Sequence, residues 1–228
     1  MVDAVLLEWE GVLADTAGAR RDALLRALAD EGLHLEPADY DAVCEGNAVQ
    51  AAACAALAHF GRRDDTLADL VALRATRAFA QRLGKGFVLA PGARAFVEHL
   101  QLASRVAIVT SATRADTEFL LRLAGLDGAA SIIISADDRL DAPPAPARYE
   151  KALRHLSRHR ALRQDHVVAI ASTTAALRAA RAAGIRTLAV GTPAHVAVDA
   201  DGMVDAIDGL TLRDIAPLIG ITSEERQP

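Results

Sequence analysis

Two cysteines, two methionines, one tryptophan and 4% aromatic residues are all that the 228-residue sequence offers of the types that most often carry redox, metal or stacking chemistry. Cys44 and Cys54 lie in Ala-rich helical sequence with no close His partner at metal-ligand spacing, which argues against a zinc site or a disulfide framework. Both are expected to be buried, reduced thiols. No apolar run approaches the roughly 20 residues that a bilayer span requires, and no basic stretch precedes an apolar signal core, so a cytoplasmic protein is expected. Lysine is also scarce, Lys85 and Lys151 being the only two, and the formal net charge is -5. Neither nucleic acid nor an anionic membrane surface is expected as a partner. The seven histidines form no spaced cluster, and Asp199-Ala200-Asp201-Gly202 reads as a turn rather than a calcium loop.

What is present is the composition of a packed globular protein, 52% hydrophobic and 24% charged. Five short apolar runs, Val5 to Leu7, Val106 to Val109, Ile132 to Ile134, Val167 to Ile170 and Thr187 to Val190, lack polar alternation, as strands buried on both faces do. Helical patterns follow three of them, at Thr113 to Leu123, Ala147 to Leu156 and Thr174 to Ala183. This is β-α-β repetition, which predicts a parallel sheet with right-handed crossovers. Gly125 and Gly184 stand where left-handed helix stops are wanted. Nearly a hundred residues separate the first strand from the second, and their pattern from about Thr16 to about Val88 is helical, broken at Gly32, Pro37, Gly46 and Gly61. The expected architecture is α/β: a Rossmann-like, three-layer α/β/α core of residues 1–15 and 89–228 with a parallel sheet, and an inserted α-helical cap of residues 16–88.

In such a sheet ligands bind beyond the carboxyl ends of the strands, near the reversal of strand order. The first strand ends at Glu8 and Glu10, which extended chain would place on one side, unless both are simply solvated. The second runs into Thr110-Ser111-Ala112-Thr113-Arg114, where hydroxyls and free amides either bind an anion or cap the next helix. The fourth runs into Ala171-Ser172-Thr173-Thr174, a second hydroxyl-rich helix start. Arg114, Arg20 and Arg21 either bring positive charge to this region or solvate the surface, and Trp9 is expected to pack rather than bind.

Taken in order, these segments resemble the motifs of the haloacid dehalogenase superfamily, in its β-phosphoglucomutase and phosphoglycolate phosphatase branch. Glu8 to Thr16 resembles the Asp-x-Asp-Gly-Val-x-x-Asp-Thr motif, with Glu at both leading aspartates; Val106 to Thr110 resembles the second motif, with its Thr kept. Pro143-Pro144-Ala145-Pro146-Ala147-Arg148-Tyr149 resembles Lys-Pro-x-Pro-Asp-x-Tyr with Pro143 in place of the lysine. Val167 to Thr173 resembles the fourth motif, with Ala171 and Ser172 where its acids belong. The resemblance implies Glu8 at the nucleophile position, Glu10 at the acid/base position, and Thr110, Ser111 and Ala112 as the phosphate-binding segment. Pro143, Ala171 and Ser172 are positions where the motif is lost.

The family's reaction brings an anionic nucleophile to an anionic phosphoryl group, and lysine and Mg²⁺ supply the opposing charge. Without the lysine and the last acid, the resemblance implies a catalytically degenerate pseudophosphatase with no cofactor, binding a small anionic metabolite or a protein partner. The alternative is an active phosphatase on a small phosphomonoester, using Glu8 as nucleophile and Mg²⁺. A dehalogenase-like reaction would need the same missing aspartate and lysine.

Overall fold

The structure, a computed structural model, describes residues 1–44, 47–138, 146–193 and 197–221. Two compact units result, Met1–Asp15 with Leu89–Pro228, and Thr16–Val88. Among the described residues no helix is long and apolar enough to cross a membrane.

The Thr16–Val88 unit contains α1 (Ala17–Ala29), α2 (Pro37–Val43), α3 (Val49–His59) and α4 (Asp65–Gly84). Leu24, Ala27 and Leu28 of α1 meet Ala53, Ala56 and Leu57 of α3 and Ala68, Val71 and Ala75 of α4 in one core. Small residues at helical spacing let these helices approach closely. Asp64 starts α4 by accepting a hydrogen bond from the Leu67 amide at 2.9 Å. Arg20 stacks its guanidinium over the Phe79 ring at 4.3 Å. Cys44 is buried as expected, and burial pushes its thiol up to about 11. Cys54 corrects the expectation, because it is exposed. The buried stripe of α3 runs through Ala52, Ala53, Ala56 and Leu57, and position 54 falls on the opposite face.

The other unit holds a six-stranded parallel sheet: β1 (Ala4–Glu8), β2 (Arg105–Val109), β3 (Ile132–Ile134), β4 (Val167–Ala171), β5 (Arg186–Val190) and β6 (Gly202–Val204), in the order β3-β2-β1-β4-β5-β6. Its helices are α5 (Ala93–Ala103), α6 (Arg114–Ala124), α7 (Pro146–Leu156), α8 (Thr174–Ala182) and α9 (Leu212–Leu218). Ala4 and Leu6 of β1, Ala107 and Val109 of β2 and Ala169 of β4 pack on one face against Tyr149, Ala152 and Leu156 of α7 and Ala179 and Ala180 of α8. Right-handed crossovers put α5 and α6 on the opposite face, which completes the three-layer α/β/α arrangement. Strands β1 and β4 are buried almost throughout, as their unbroken apolar runs require. Strand β6 departs from the sequence expectation. Gly202 begins it rather than ending a turn, and Leu188, Ala189 and Val190 of β5 pair with Gly202, Met203 and Val204.

Candidate functional site

The chain runs from β1 through β2 to β3 in one direction across the sheet, then from β4 through β5 to β6 in the other. The reversal falls at β1, whose neighbours are β2 and β4, so the ends of these three strands border the crevice where such sheets bind ligands. Glu8, Thr110, Ala171 and Ser172 all lie there.

Glu8 is the last residue of β1. Ala4 and Leu6 face α7 and α8, and the period of two sends the Glu8 side chain to the same face, where α8 begins. Its carboxylate is tied down there. Oε2 accepts from the Ser172 amide at 2.8 Å and lies 3.2 Å from the Ser172 hydroxyl, while Oε1 accepts from the Thr173 hydroxyl at 3.0 Å. The single Ser172 hydroxyl proton is shared between Glu8 and the Glu10 carbonyl, 3.1 Å away. Ala171, which closes β4, is fully buried and adds only a methyl group.

This meeting of two loops depends on Gly11. At φ +75° it takes a left-handed conformation, and a Cβ there would lie 2.1 Å from Ser172 Oγ. Glu10 lies beyond the strand, in a short bridge to Ala14. Its charge reaches Glu8 nonetheless. Burial, countered by the bonds from Ser172 and Thr173 and assisted by Glu10, holds the Glu8 carboxyl above the usual carboxylate range. Tyr149 of α7 is buried, and its hydroxyl is pushed upward by that burial and by the negative charge of Glu8.

A raised carboxyl favours the protonated form in the folded state. The stability it contributes is therefore fully present below the unfolded carboxyl value and lost as pH rises through the folded one. Glu8→Gln carries no charge to bury and can still accept from the Ser172 amide. It is expected to unfold at higher denaturant than wild type at neutral pH, with the gap closing on acidification, as denaturation midpoints across a pH series would show. A gap that widens toward acid would contradict the buried-charge account.

On the β2 side, Thr110 is 4% exposed, and its Oγ1 accepts from the Ala112 amide at 3.1 Å. Neither Thr110 nor Ser111 caps α6. Thr113 does, accepting from the Asp116 amide at 3.1 Å, and Thr173 likewise caps α8. Arg114 ties α6 to the end of β3. Its amide donates to Asp137 at 2.6 Å and its guanidinium to the Ile133 carbonyl at 2.7 Å, 3.5 Å from Asp138. Lys151 pairs with Asp138 at 2.7 Å. Burial opposes ionisation of Asp138, but Lys151, the Ser135 amide and Arg114 outweigh it and hold the carboxyl low.

Arg148 carries no signal in the sequence, where it is one arginine among many. Its Nη1 donates to the Thr110 carbonyl at 3.1 Å. Pro143 lies outside the described residues. Arg20 and Arg21 belong to the Thr16–Val88 unit. Trp9 is fully buried in the core.

Mg²⁺, which the motif resemblance implies for an active relative, does not suit this donor set. The acid that would face Glu8 is replaced by the neutral hydroxyls of Ser172 and Thr173, and these two residues use three lone-pair positions of the Glu8 carboxylate. Among the described residues no three His, Cys, Asp or Glu side chains converge as cation ligands.

The family model for haloacid dehalogenase-like hydrolases matches residues 2–184. Comparison with curated proteins gives no match. Among solved structures, a β-phosphoglucomutase from Clostridium difficile superposes with a TM-score of 0.81 at 15% identity, covering 96% of this chain and 98% of its own. CbbY from Rhodobacter sphaeroides, solved in complex with phosphate, superposes at 0.78 and 24% identity over 94% of this chain and 99% of its own. A predicted phosphoglycolate phosphatase from Haemophilus somnus gives 0.76 at 15% identity over 90% and 94%. At these identities the likeness is one of fold.

Proposed function

The chain belongs to the haloacid dehalogenase-like hydrolases, and from that premise we propose that it is a pseudophosphatase, a member that binds a small phosphate-bearing metabolite without turning it over. One observation carries this reading: the carboxylate at the nucleophile position is engaged by its own protein. A carboxylate has about four lone-pair positions. Three of those on Glu8 face Ser172 and Thr173, and its raised pKa lets a proton compete for the fourth. A nucleophile needs a free lone pair in line with phosphorus, and a displacement of roughly 1 Å can already cost about a hundredfold in rate. The Glu side chain is also one methylene longer than the aspartate of the motif.

The other half of the reading is what remains able to bind. Thr110 and Ser111 keep their hydroxyls at the end of β2 whatever became of the lost acids, while the Ala112 amide is already given to Thr110 Oγ1. Anion binding at this loop is the activity we assign to the protein, with a small anionic metabolite as the partner rather than a protein.

The test is turnover. Purified wild type and Glu8→Ala, each with and without Mg²⁺, are expected to hydrolyse a panel of small phosphomonoesters no faster than buffer. Mg²⁺-dependent hydrolysis that Glu8→Ala abolishes while the fold survives would make Glu8 a working nucleophile, and the protein an active phosphatase.

A further inference from the structure

We propose that Arg148 is the cation of this anion site, taking over from a different position the charge that Pro143 cannot supply. The inference rests on the anion-binding reading and names the residue that makes it possible. Helix-end amides attract anions weakly, and the carboxylates of Glu8 and Glu10 oppose a second negative charge nearby. A phosphate group therefore needs a positive side chain beside Thr110.

Three basic residues of α6 and α7 come near this end of the sheet among the described residues. Lys151 is held 2.7 Å from Asp138, and Arg114 lies 3.5 Å from the same carboxylate. Both are drawn to that one carboxylate, which offsets one of their two charges. Arg148 differs: its bond to the Thr110 carbonyl is to a neutral acceptor, and it faces no carboxylate among the described residues.

The geometry around Arg148 favours a ligand. Tyr149 and Ala152, buried on the sheet side of α7, fix the helix against the sheet, so the base of Arg148 is not free to wander. The bond to Thr110 holds the guanidinium at the residue whose hydroxyl belongs to the binding loop. A guanidinium carries five N–H donors in a fixed fork that matches phosphate oxygens, and this contact uses one. Thr110 adds an unused donor of its own. Its Oγ1 accepts from the Ala112 amide, and its proton reaches no acceptor among the described residues, although the residue is only 4% exposed. A buried hydroxyl proton beside a guanidinium that pairs with no carboxylate among the described residues suits a tetrahedral oxyanion of the phosphate class.

The experiment titrates inorganic phosphate, and separately glycerol phosphate, into the full-length protein while following backbone amide resonances of residues 110 to 113. Wild type is expected to shift saturably, with affinity that falls as salt rises. Arg148→Gln should weaken binding by about tenfold or more and flatten the salt dependence, since a charge-assisted contact is lost. Arg148→Lys should keep the salt dependence and recover part of the affinity, which a purely structural clamp on the Thr110 carbonyl would not require. If Arg148→Gln fails to fold, the Arg148→Lys titration still decides: loss of salt dependence with the charge retained would overturn the assignment. Tighter binding of glycerol phosphate than of phosphate identifies the site as one for esters, and equal binding as one for the free ion. Equal affinities for wild type and Arg148→Gln would refute the role of Arg148 and leave the anion reading intact. No saturable shift in wild type would refute the anion reading itself.

Discussion

Ser172→Asp is expected to make the stability of this protein depend on Mg²⁺. Ser172 Oγ lies 3.2 Å from Glu8 Oε2, so an aspartate there sets two carboxylates almost in contact, with Glu10 adding charge nearby. Like charges this close cannot both ionise freely, and the variant should lose roughly 2 to 4 kcal/mol at neutral pH without metal. For a chain of this size that corresponds to a fall of about 5 to 15 °C in Tm. Mg²⁺ prefers charged oxygen ligands, and the paired carboxylates would provide them. At a hundred times its Kd the ion should return about 2.7 kcal/mol. Thermal melts of wild type and variant over a Mg²⁺ series check this. A wild-type midpoint that climbs as steeply as that of the variant would mean that Glu8 and its hydroxyl partners already hold the ion, contrary to the poor fit of Mg²⁺ to these donors.

Gly11→Ala should be strongly destabilising. A left-handed conformation costs a side-chain-bearing residue about 1 to 2 kcal/mol, and forcing a methyl into filled space adds roughly 1 to 3 kcal/mol. Both apply at Gly11, where the added carbon would also come within 2.7 Å of Ser172 Cβ. The expected loss is between about 2 and 5 kcal/mol by chemical denaturation. Pairing it with Ser172→Gly separates the two causes, because that change clears the obstructing atoms and leaves the φ angle. The double variant should be more stable than the sum of the singles implies, by about 1 to 3 kcal/mol. Simple additivity would show that the backbone conformation alone is at fault.

The central strands were legible because a strand buried on both faces announces itself without context: Val5 to Leu7 and Val167 to Ile170 contain no polar residue. Strand β6 was not, since Gly202-Met203-Val204 is short, half-exposed and preceded by a turn-like Asp-Ala-Asp, and only its pairing with β5 makes it a strand. Motif order identified Glu8, Thr110 and Ser172 as residues of interest. It could not show that Ser172 and Thr173 clasp Glu8, because which of two hydroxyl-rich helix starts turns toward a given carboxylate is decided by strand order and side-chain parity. Arg148 was invisible for a different reason. Nothing local distinguishes it from its neighbours, and its environment is the carbonyl of a residue 38 positions away.

The placement of β1 sets the timetable of synthesis. Its register partners Val167 to Ile170 leave the ribosome far behind it, and Glu8 waits through 164 residues for Ser172. At about 5 to 20 residues per second that is on the order of ten seconds or more during which β1 lacks its β4 partner, although β2 can cover the other edge sooner. The helices of Thr16–Val88 are complete long before β4 emerges, and their contacts are local enough to form first. The nascent chain thus carries a finished helical body tethered to a hydrophobic strand with one edge still open, and its yield in the cell should depend on the chaperones that bind such segments.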